Sequence, residues 1–239
     1  MIKTIFFYIG VVLSIILTLF GFIKLKCLSW KNKLDERTQY IHKMTSKWAR
    51  FIMKLSGSKI TVIGLENLPK NETVLFVSNH QSYFDIPLLM CTIDIPKGFI
   101  AKKELAKWPI VRLWMKHLRC IFLDRDNVRK SAEAIVEGIN TLKDGYSMVV
   151  FPEGTRSRGD IHHEFKAGSF KLATKSKVSI VPVTINGTNK LLEGNDNRLK
   201  AANIIVTIHP MVDVKNLSKE ELAILPETVE KTVFSSMEE

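Results

Sequence analysis

The run Asn79-His80-Gln81-Ser82-Tyr83-Phe84-Asp85 sets a histidine five positions before a carboxylate, directly after the apolar stretch Val74-Leu75-Phe76-Val77. A neutral imidazole can take a proton from an alcohol near neutral pH, and a carboxylate behind it orients the ring and stabilises the imidazolium that forms. The polar burst Ser78 to Ser82 must be hydrogen-bonded or hydrated, because burying it unpaired is costly. His80 could instead be structural, and Asp85 could simply cap a following helix or do both. A second run, Phe151-Pro152-Glu153-Gly154-Thr155-Arg156, follows another strand-like stretch in the same way. Open α/β sheets bind ligands outside the carboxyl ends of their strands, so two polar clusters at two strand ends predict one active site.

Basic residues recur at comparable positions. Lys102 and Lys103 follow Phe99-Ile100-Ala101, Arg125 follows Cys120 to Leu123, and Arg156 follows Met148 to Phe151. If those strands run parallel, the cations share an edge with His80. Arginine's planar fork suits phosphate, and Gly154 lets the backbone approach a ligand closely. A phosphate pocket is therefore expected, rather than scattered surface charge. Other chemistries fit poorly. Gly154 to Gly159 resembles a P-loop only superficially, since Asp160 stands where the phosphate lysine belongs. There is no G-x-S-x-G elbow and no H-E-x-x-H zinc motif. His162-His163-Glu164 reads as a solvated loop, so no metal site is expected. Nothing supplies an obvious covalent nucleophile, which favours direct attack by a substrate hydroxyl that His80 activates.

The elements that must hold these residues alternate along the chain. Ile60–Ile63, Val74–Ser78, Phe99–Ala101, Cys120–Leu123, Met148–Phe151, Ile180–Ile185 and Ile204–Ile208 read as strands. Helices are expected at 85–92, 103–117, 128–143, 167–177 and 218–234. This is an α/β pattern, a β-sheet covered by helices. The chain of 239 residues supports one core plus a short anchor. From Thr4 to Ile23 no residue is charged, and at 1.5 Å per residue such a helix is about 30 Å long, enough to cross a bilayer's hydrocarbon core. Lys24, Lys26, Lys31 and Lys33 follow, which would leave the downstream chain in the cytoplasm, at the cell membrane. Residues 32–56 form a basic amphipathic pattern, with Ile41, Met44, Trp48, Phe51, Ile52 and Leu55 on one face; alone it suits a bilayer interface or a protein core equally, and beside the hydrophobic anchor the membrane reading gains. The division expected is 1–57 as a helical membrane-anchoring segment and 58–239 as the catalytic domain. A net charge of +11 suits anionic partners, and the three scattered cysteines make no disulfide framework.

His80-x4-Asp85 and Phe151-Pro152-Glu153-Gly154-Thr155-Arg156-Ser157 resemble the first and third signature blocks of the glycerolipid acyltransferases. Lys103-Glu104-Leu105, Pro109 and Ile121 to Arg125 resemble the second block, and Val181-Pro182-Val183 the fourth. Arg119 and Arg112 depart from the pattern, standing where a glycine and small or apolar residues are common. The resemblance implies transfer of an acyl chain from acyl-carrier protein or coenzyme A to the sn-2 hydroxyl of lysophosphatidic acid, giving phosphatidic acid. It implies His80 as the base, oriented by Asp85. It also implies an acceptor site made of Arg125, Glu153, Gly154, Thr155 and Arg156, with Lys103 beside it. It allows Thr4–Ile23 to be embedded in one leaflet of the membrane lipid without spanning. No cofactor is expected beyond the donor's own carrier. Two alternatives remain: an acyltransferase for another lysolipid or glycerol 3-phosphate, and a non-catalytic, membrane-anchored basic binding module. Nucleic acid is not an expected partner, because most aromatics sit in apolar segments rather than among the basic ones.

Overall fold

The computed structural model describes residues 2–30, 33–157 and 162–237. Lys31 and the Arg158–Asp160 part of the glycine-flanked run lie outside the described residues. The amino-terminal apolar segment is helical throughout: α1 (Ile2–Leu17), a 3-10 turn at Thr18–Phe20, and α2 (Gly21–Trp30). After it comes α3 (Leu34–Ser56), closed by Gly57 at φ 74°, a left-handed conformation that glycine adopts without steric cost.

The seven expected strands all form: β1 (Lys59–Ile63), β2 (Val74–Ser78), β3 (Lys97–Lys102), β4 (Ile121–Leu123), β5 (Ser147–Val150), β6 (Ser179–Asn186) and β7 (Asn203–Ile208). They make one sheet in the order β1-β7-β6-β2-β5-β3-β4. From β6 to β4 every neighbouring pair is parallel; β7 runs antiparallel to β6, and β1 parallel to β7. The carboxyl ends of β2, β3, β4 and β5 therefore share an edge, as the motif placement requires. The helices are α4 (Asp85–Thr92), α5 (Pro109–His117), α6 (Val128–Lys143), α7 (Lys171–Ser176) and α8 (Lys219–Phe234). The expected 103–117 and 167–177 helices each begin as a 3-10 turn, at Lys103–Lys107 and Ala167–Phe170.

Side chains alternate across the sheet. In β2, Val74 and Phe76 join a core with residues of α3 and α4, while Leu75 and Val77 join one with residues of α6, α7 and α8. All four are fully buried, which explains why β2 reads as a continuous apolar run. Arg119 sits at φ 53°, so the position where the family pattern has glycine does need a left-handed residue; its guanidinium lies 4.9 Å from the Tyr146 ring centroid.

The apolar stripe of α3 has a protein partner. It packs on α4, burying Ile41, Ala49, Ile52 and Met53, whereas Phe51 and Leu55 of the expected face stay exposed. Residue 57 thus marks a change of secondary structure and not a break in the core. α1 is docked along its length: Thr4 Oγ1 accepts from Leu199 N at 3.0 Å, Phe7 stacks on Phe84 at 5.6 Å, and Trp48 Nε1 donates to Ser14 at 3.1 Å. Ile5, Phe6, Ile9, Val12 and Leu13 remain exposed on its outer side, as does Phe20 in the 3-10 turn that follows.

Removing residues 1–58 is therefore expected to unfold the domain, not merely to release it from membranes, because α3 leaves with its share of the core. Met53→Ala, at a position 2% exposed, should cost about 3 kcal/mol. Circular dichroism and urea unfolding check both. A truncated chain that unfolds cooperatively near the parent midpoint would contradict this account.

Candidate active site

His80 lies in the loop that joins β2 to α4. Its ring stacks on Phe151 at 4.2 Å between centroids and 20° between planes. Nδ1 lies 2.7 Å from Asp85 Oδ2. The same oxygen accepts the backbone N–H groups of Gln81 at 2.7 Å and Ser82 at 2.9 Å. Oδ1 accepts from Thr188 Oγ1 at 2.6 Å. Asp85 is wholly buried, and a buried carboxylate with four donors is an acceptor that holds Nδ1–H toward it. The tautomer so assigned leaves the lone pair on Nε2, which makes no hydrogen bond among the described residues. Asp85 is thus both the first residue of α4 and the partner of His80. The far end of α4 is held by buried Lys97, whose Nζ donates to Ile93 O at 2.6 Å and Ile95 O at 3.1 Å; burial pushes this ammonium down to about 7.

The Glu153 segment meets His80 from β5. Glu153 Oε1 accepts from His80 N at 2.6 Å, and Oε2 from His163 N at 3.3 Å. Ser157 returns the bond, donating its N–H and its hydroxyl to His80 O at 2.7 and 3.0 Å. Glu153 is 1% exposed, and burial pushes its carboxyl up to about 7 against the lowering effect of those two N–H donors. Gly154 turns the chain at φ 73°, beside Lys166 and exposed Thr155. His162 packs against Phe234 at 4.2 Å, and His163 uses its backbone on Glu153.

The structure brings His80, Asp85, Glu153 and Arg156 into one contiguous group. Arg156 Nη1 donates to Glu193 at 2.7 Å, and its guanidinium covers the Tyr83 ring at 3.6 Å. Lys103 and Arg125 sit on the same edge but two and three strands away from β2, about 10 and 14 Å at the usual strand spacing. Lys103 Nζ is clamped by Asp124 at 2.5 Å and Asp126 at 3.0 Å, which hold its ammonium well above the usual lysine range. Arg125, between those aspartates, makes no side-chain hydrogen bond or ion pair among the described residues. Partial burial lowers its pKa, and Glu104 works in the opposite direction. Thr188 and Glu193 were not expected from sequence. Both follow β6 in short turns whose polar residues give no local signal of a role.

The Acyltransferase family model matches residues 59–186, over half of the chain. This chain belongs to the acyltransferase family. It is 34% identical over 184 residues to the 1-acyl-sn-glycerol-3-phosphate acyltransferase of Borreliella burgdorferi, covering 77% of this chain and 74% of that one. It is 30% identical over 236 residues to the enzyme of the same name from Saccharomyces cerevisiae, covering 97% of this chain and 73% of the yeast protein. The crystal structure of the 1-acyl-sn-glycerophosphate (LPA) acyltransferase PlsC from Thermotoga maritima superposes with a TM-score of 0.84 at 32% identity, covering 97% of this chain and 92% of that one. The fold of this acyltransferase, its amino-terminal helices included, is thus that of a solved relative.

Glu153 holds its proton more tightly in the folded state than an ordinary unfolded carboxyl near 4.5 does, so its stabilising contribution is full at low pH and falls as pH rises from there through about 7. Compared with Glu153→Gln, the parent should therefore lose about 2 kcal/mol of relative stability between pH 5 and pH 8. Urea unfolding of both proteins at the two pH values measures this; a pH-independent difference would assign the titration elsewhere.

Proposed function

We propose that this acyltransferase moves an acyl chain from the thioester of acyl-carrier protein or coenzyme A to the sn-2 hydroxyl of 1-acylglycerol 3-phosphate, giving phosphatidic acid. The observation that carries this reading is His80: Nδ1 is fixed on a buried carboxylate, the ring is stacked, and Nε2 makes no hydrogen bond among the described residues. Nε2 takes the hydroxyl proton as the oxygen attacks the thioester carbonyl. The tetrahedral intermediate collapses, its C–S bond breaks, and the departing sulfur takes the proton back from the imidazolium. One ester and one thiol result, and His80 ends neutral. Asp85 holds the ring and stabilises its transient charge without itself being protonated.

Arg156 and Arg125 offer the guanidinium groups for the acceptor's phosphate. Lys103 acts there through its clamp on Asp124 and Asp126, which shapes the loop that carries Arg125. Glu153 serves the same site by holding the His80 backbone; Gly154 and Thr155 present a sharply turned backbone and a hydroxyl beside it. An apolar cavity of about 190 Å³ lies under α5, between α1, α3 and α4. Ile86, Met90, Ala101, Trp48, Trp114 and Met115 are among its walls, and Ile86 adjoins Asp85. Such a cavity suits an acyl chain.

The docking of α1 favours a membrane helix lying in one leaflet over one that spans. The continuous helix Ile2–Leu28 has the length and composition to cross a bilayer. Yet from Thr4 to Gly21 its inner side contacts the domain, with Tyr40 Oη donating to Gly21 O at 3.3 Å and Trp114 Nε1 to Thr18 at 2.7 Å. A helix held this way lies alongside the domain, with its apolar outer face available to lipid. Lys24, Lys26 and Lys33 beside it suit the anionic cytoplasmic surface.

Purified protein given an acyl thioester should release thiol only when 1-acylglycerol 3-phosphate is present, and His80→Ala should reduce that release by at least about 1,000-fold while keeping its fold. Acceptor-independent release would indicate a thioesterase. No release by folded protein would sink the proposal.

Arg125→Ala and Arg156→Ala should each raise KM for the phosphorylated acceptor, by about tenfold or more, with the donor KM little changed. Steady-state kinetics with each substrate varied in turn decides it. A shift confined to the donor would remove these arginines from the phosphate site.

A further inference from the structure

Glu193 lies in the 3-10 turn Glu193–Asn195 that follows β6, and its side chain is 9% exposed. Three donors converge on it. Oε1 accepts from Arg156 Nη1 at 2.7 Å and from Tyr83 N at 3.0 Å, while Oε2 accepts from Ser82 Oγ at 2.7 Å. Ser82 Oγ in turn accepts from Phe84 N at 3.1 Å, so the same network reaches the residue before Asp85. On the Arg156 side, the guanidinium lies over Tyr83 with its central carbon 3.6 Å from the ring centroid. A free arginine side chain loses rotamer entropy when it is fixed in one geometry. Here one nitrogen is tied to Glu193 and one face to Tyr83 before any ligand arrives. The remaining N–H donors of the fork make no hydrogen bond among the described residues, which leaves them for a ligand.

We propose that Glu193 is a positioning residue that fixes Arg156 for the phosphate of the acceptor. This rests on the reading of Arg156 as a phosphate ligand. The partly buried guanidinium needs an anion nearby when no substrate is bound, and Glu193 supplies one without filling the fork. The carboxylate accepts from both the His80–Asp85 loop and Arg156. It therefore sets the distance between the catalytic base and the phosphate anchor, and so the place where the sn-2 hydroxyl meets Nε2. A brace for the loop alone would need Ser82 and Tyr83 but not Arg156.

Initial rates of the full chain with acyl thioester and 1-acylglycerol 3-phosphate test this, using Glu193→Ala, Glu193→Gln, Arg156→Ala and the double variants. Glu193→Ala should raise KM for the acceptor about tenfold, with kcat falling by less than about threefold and the donor KM unmoved. Glu193→Gln keeps an oxygen for Arg156 and Tyr83 and should recover most of that loss, leaving about a threefold rise. In the Arg156→Ala background either change should have almost no further effect on the acceptor KM. If Glu193→Ala fails to fold, the Glu193→Gln cycle still decides. Acceptor effects that persist in full without Arg156, or losses confined to kcat or the donor KM, would overturn the assignment and make Glu193 a brace of the loop. If Arg156→Ala leaves the acceptor KM unchanged, the phosphate reading itself fails. If Arg156→Ala raises that KM and neither Glu193 variant does, only the role of Glu193 falls.

Discussion

Asp85 is a fully buried carboxylate, and removing such a charge from water costs several kcal/mol unless donors saturate its oxygens. Four donors do so: the His80 ring, the N–H groups of Gln81 and Ser82, and the Thr188 hydroxyl. The first three come from the carboxylate's own loop. The fourth comes from beyond β6, more than a hundred residues later in the chain. The carboxylate is therefore satisfied only when β6 pairs with β2 in the observed register, with Ser78 opposite Val183. Asn79 locks the same register by exchanging two hydrogen bonds of 2.8 Å with the backbone of Ile185. The orientation of the His80 ring is in this sense a property of the sheet.

β5 completes the arrangement from the other side. His80 gives its N–H to Glu153, receives Ser157 on its carbonyl and rests its ring on Phe151. Both backbone groups and one ring nitrogen are committed, and Nε2 alone has no hydrogen-bond partner among the described residues. Such fixation matters because misplacing a base by about 1 Å can cost two orders of magnitude in rate. Glu153 illustrates a carboxyl group used for structure: its two oxygens accept backbone N–H groups of His80 and His163, which braces the loop.

Much of this was legible in the sequence for physical reasons. Central strands buried on both faces must be apolar runs, so β2, β5 and β6 announce themselves. His80 and Asp85 lie within five residues and share one loop. Thr188 and Glu193 were not legible, since a threonine and a glutamate in turns carry no pattern, and only the topology carries them to the site. The stripe on α3 was legible but its partner was not. An apolar face fits a lipid interface as well as a protein core, and only the fold shows that Ile52 and Met53 share a core with α4 while Phe51 stays exposed. Arg119 departs from the family's glycine, yet the backbone keeps the left-handed conformation that a glycine would favour.

The amino-terminal helix ties the proposed membrane contact to the chemistry. Phe7 packs on Phe84, the neighbour of Asp85, and Thr4 bonds to Leu199 in the segment that also carries Thr188 and Glu193. Further along, Ile15 and Thr18 line the apolar cavity that reaches Ile86. On the proposed reading, one helix would touch lipid on its outer side, while its inner side contacts the loop of His80 and Asp85 and the wall of the apolar cavity. Acceptor and product of the proposed reaction are both lipids, whose transfer through water would expose their chains at about 0.8 kcal/mol per methylene. A helix shared between bilayer and active site avoids that exposure, which gives a physical reason for the apolar segment to pack lengthwise on the domain instead of standing apart as a tether.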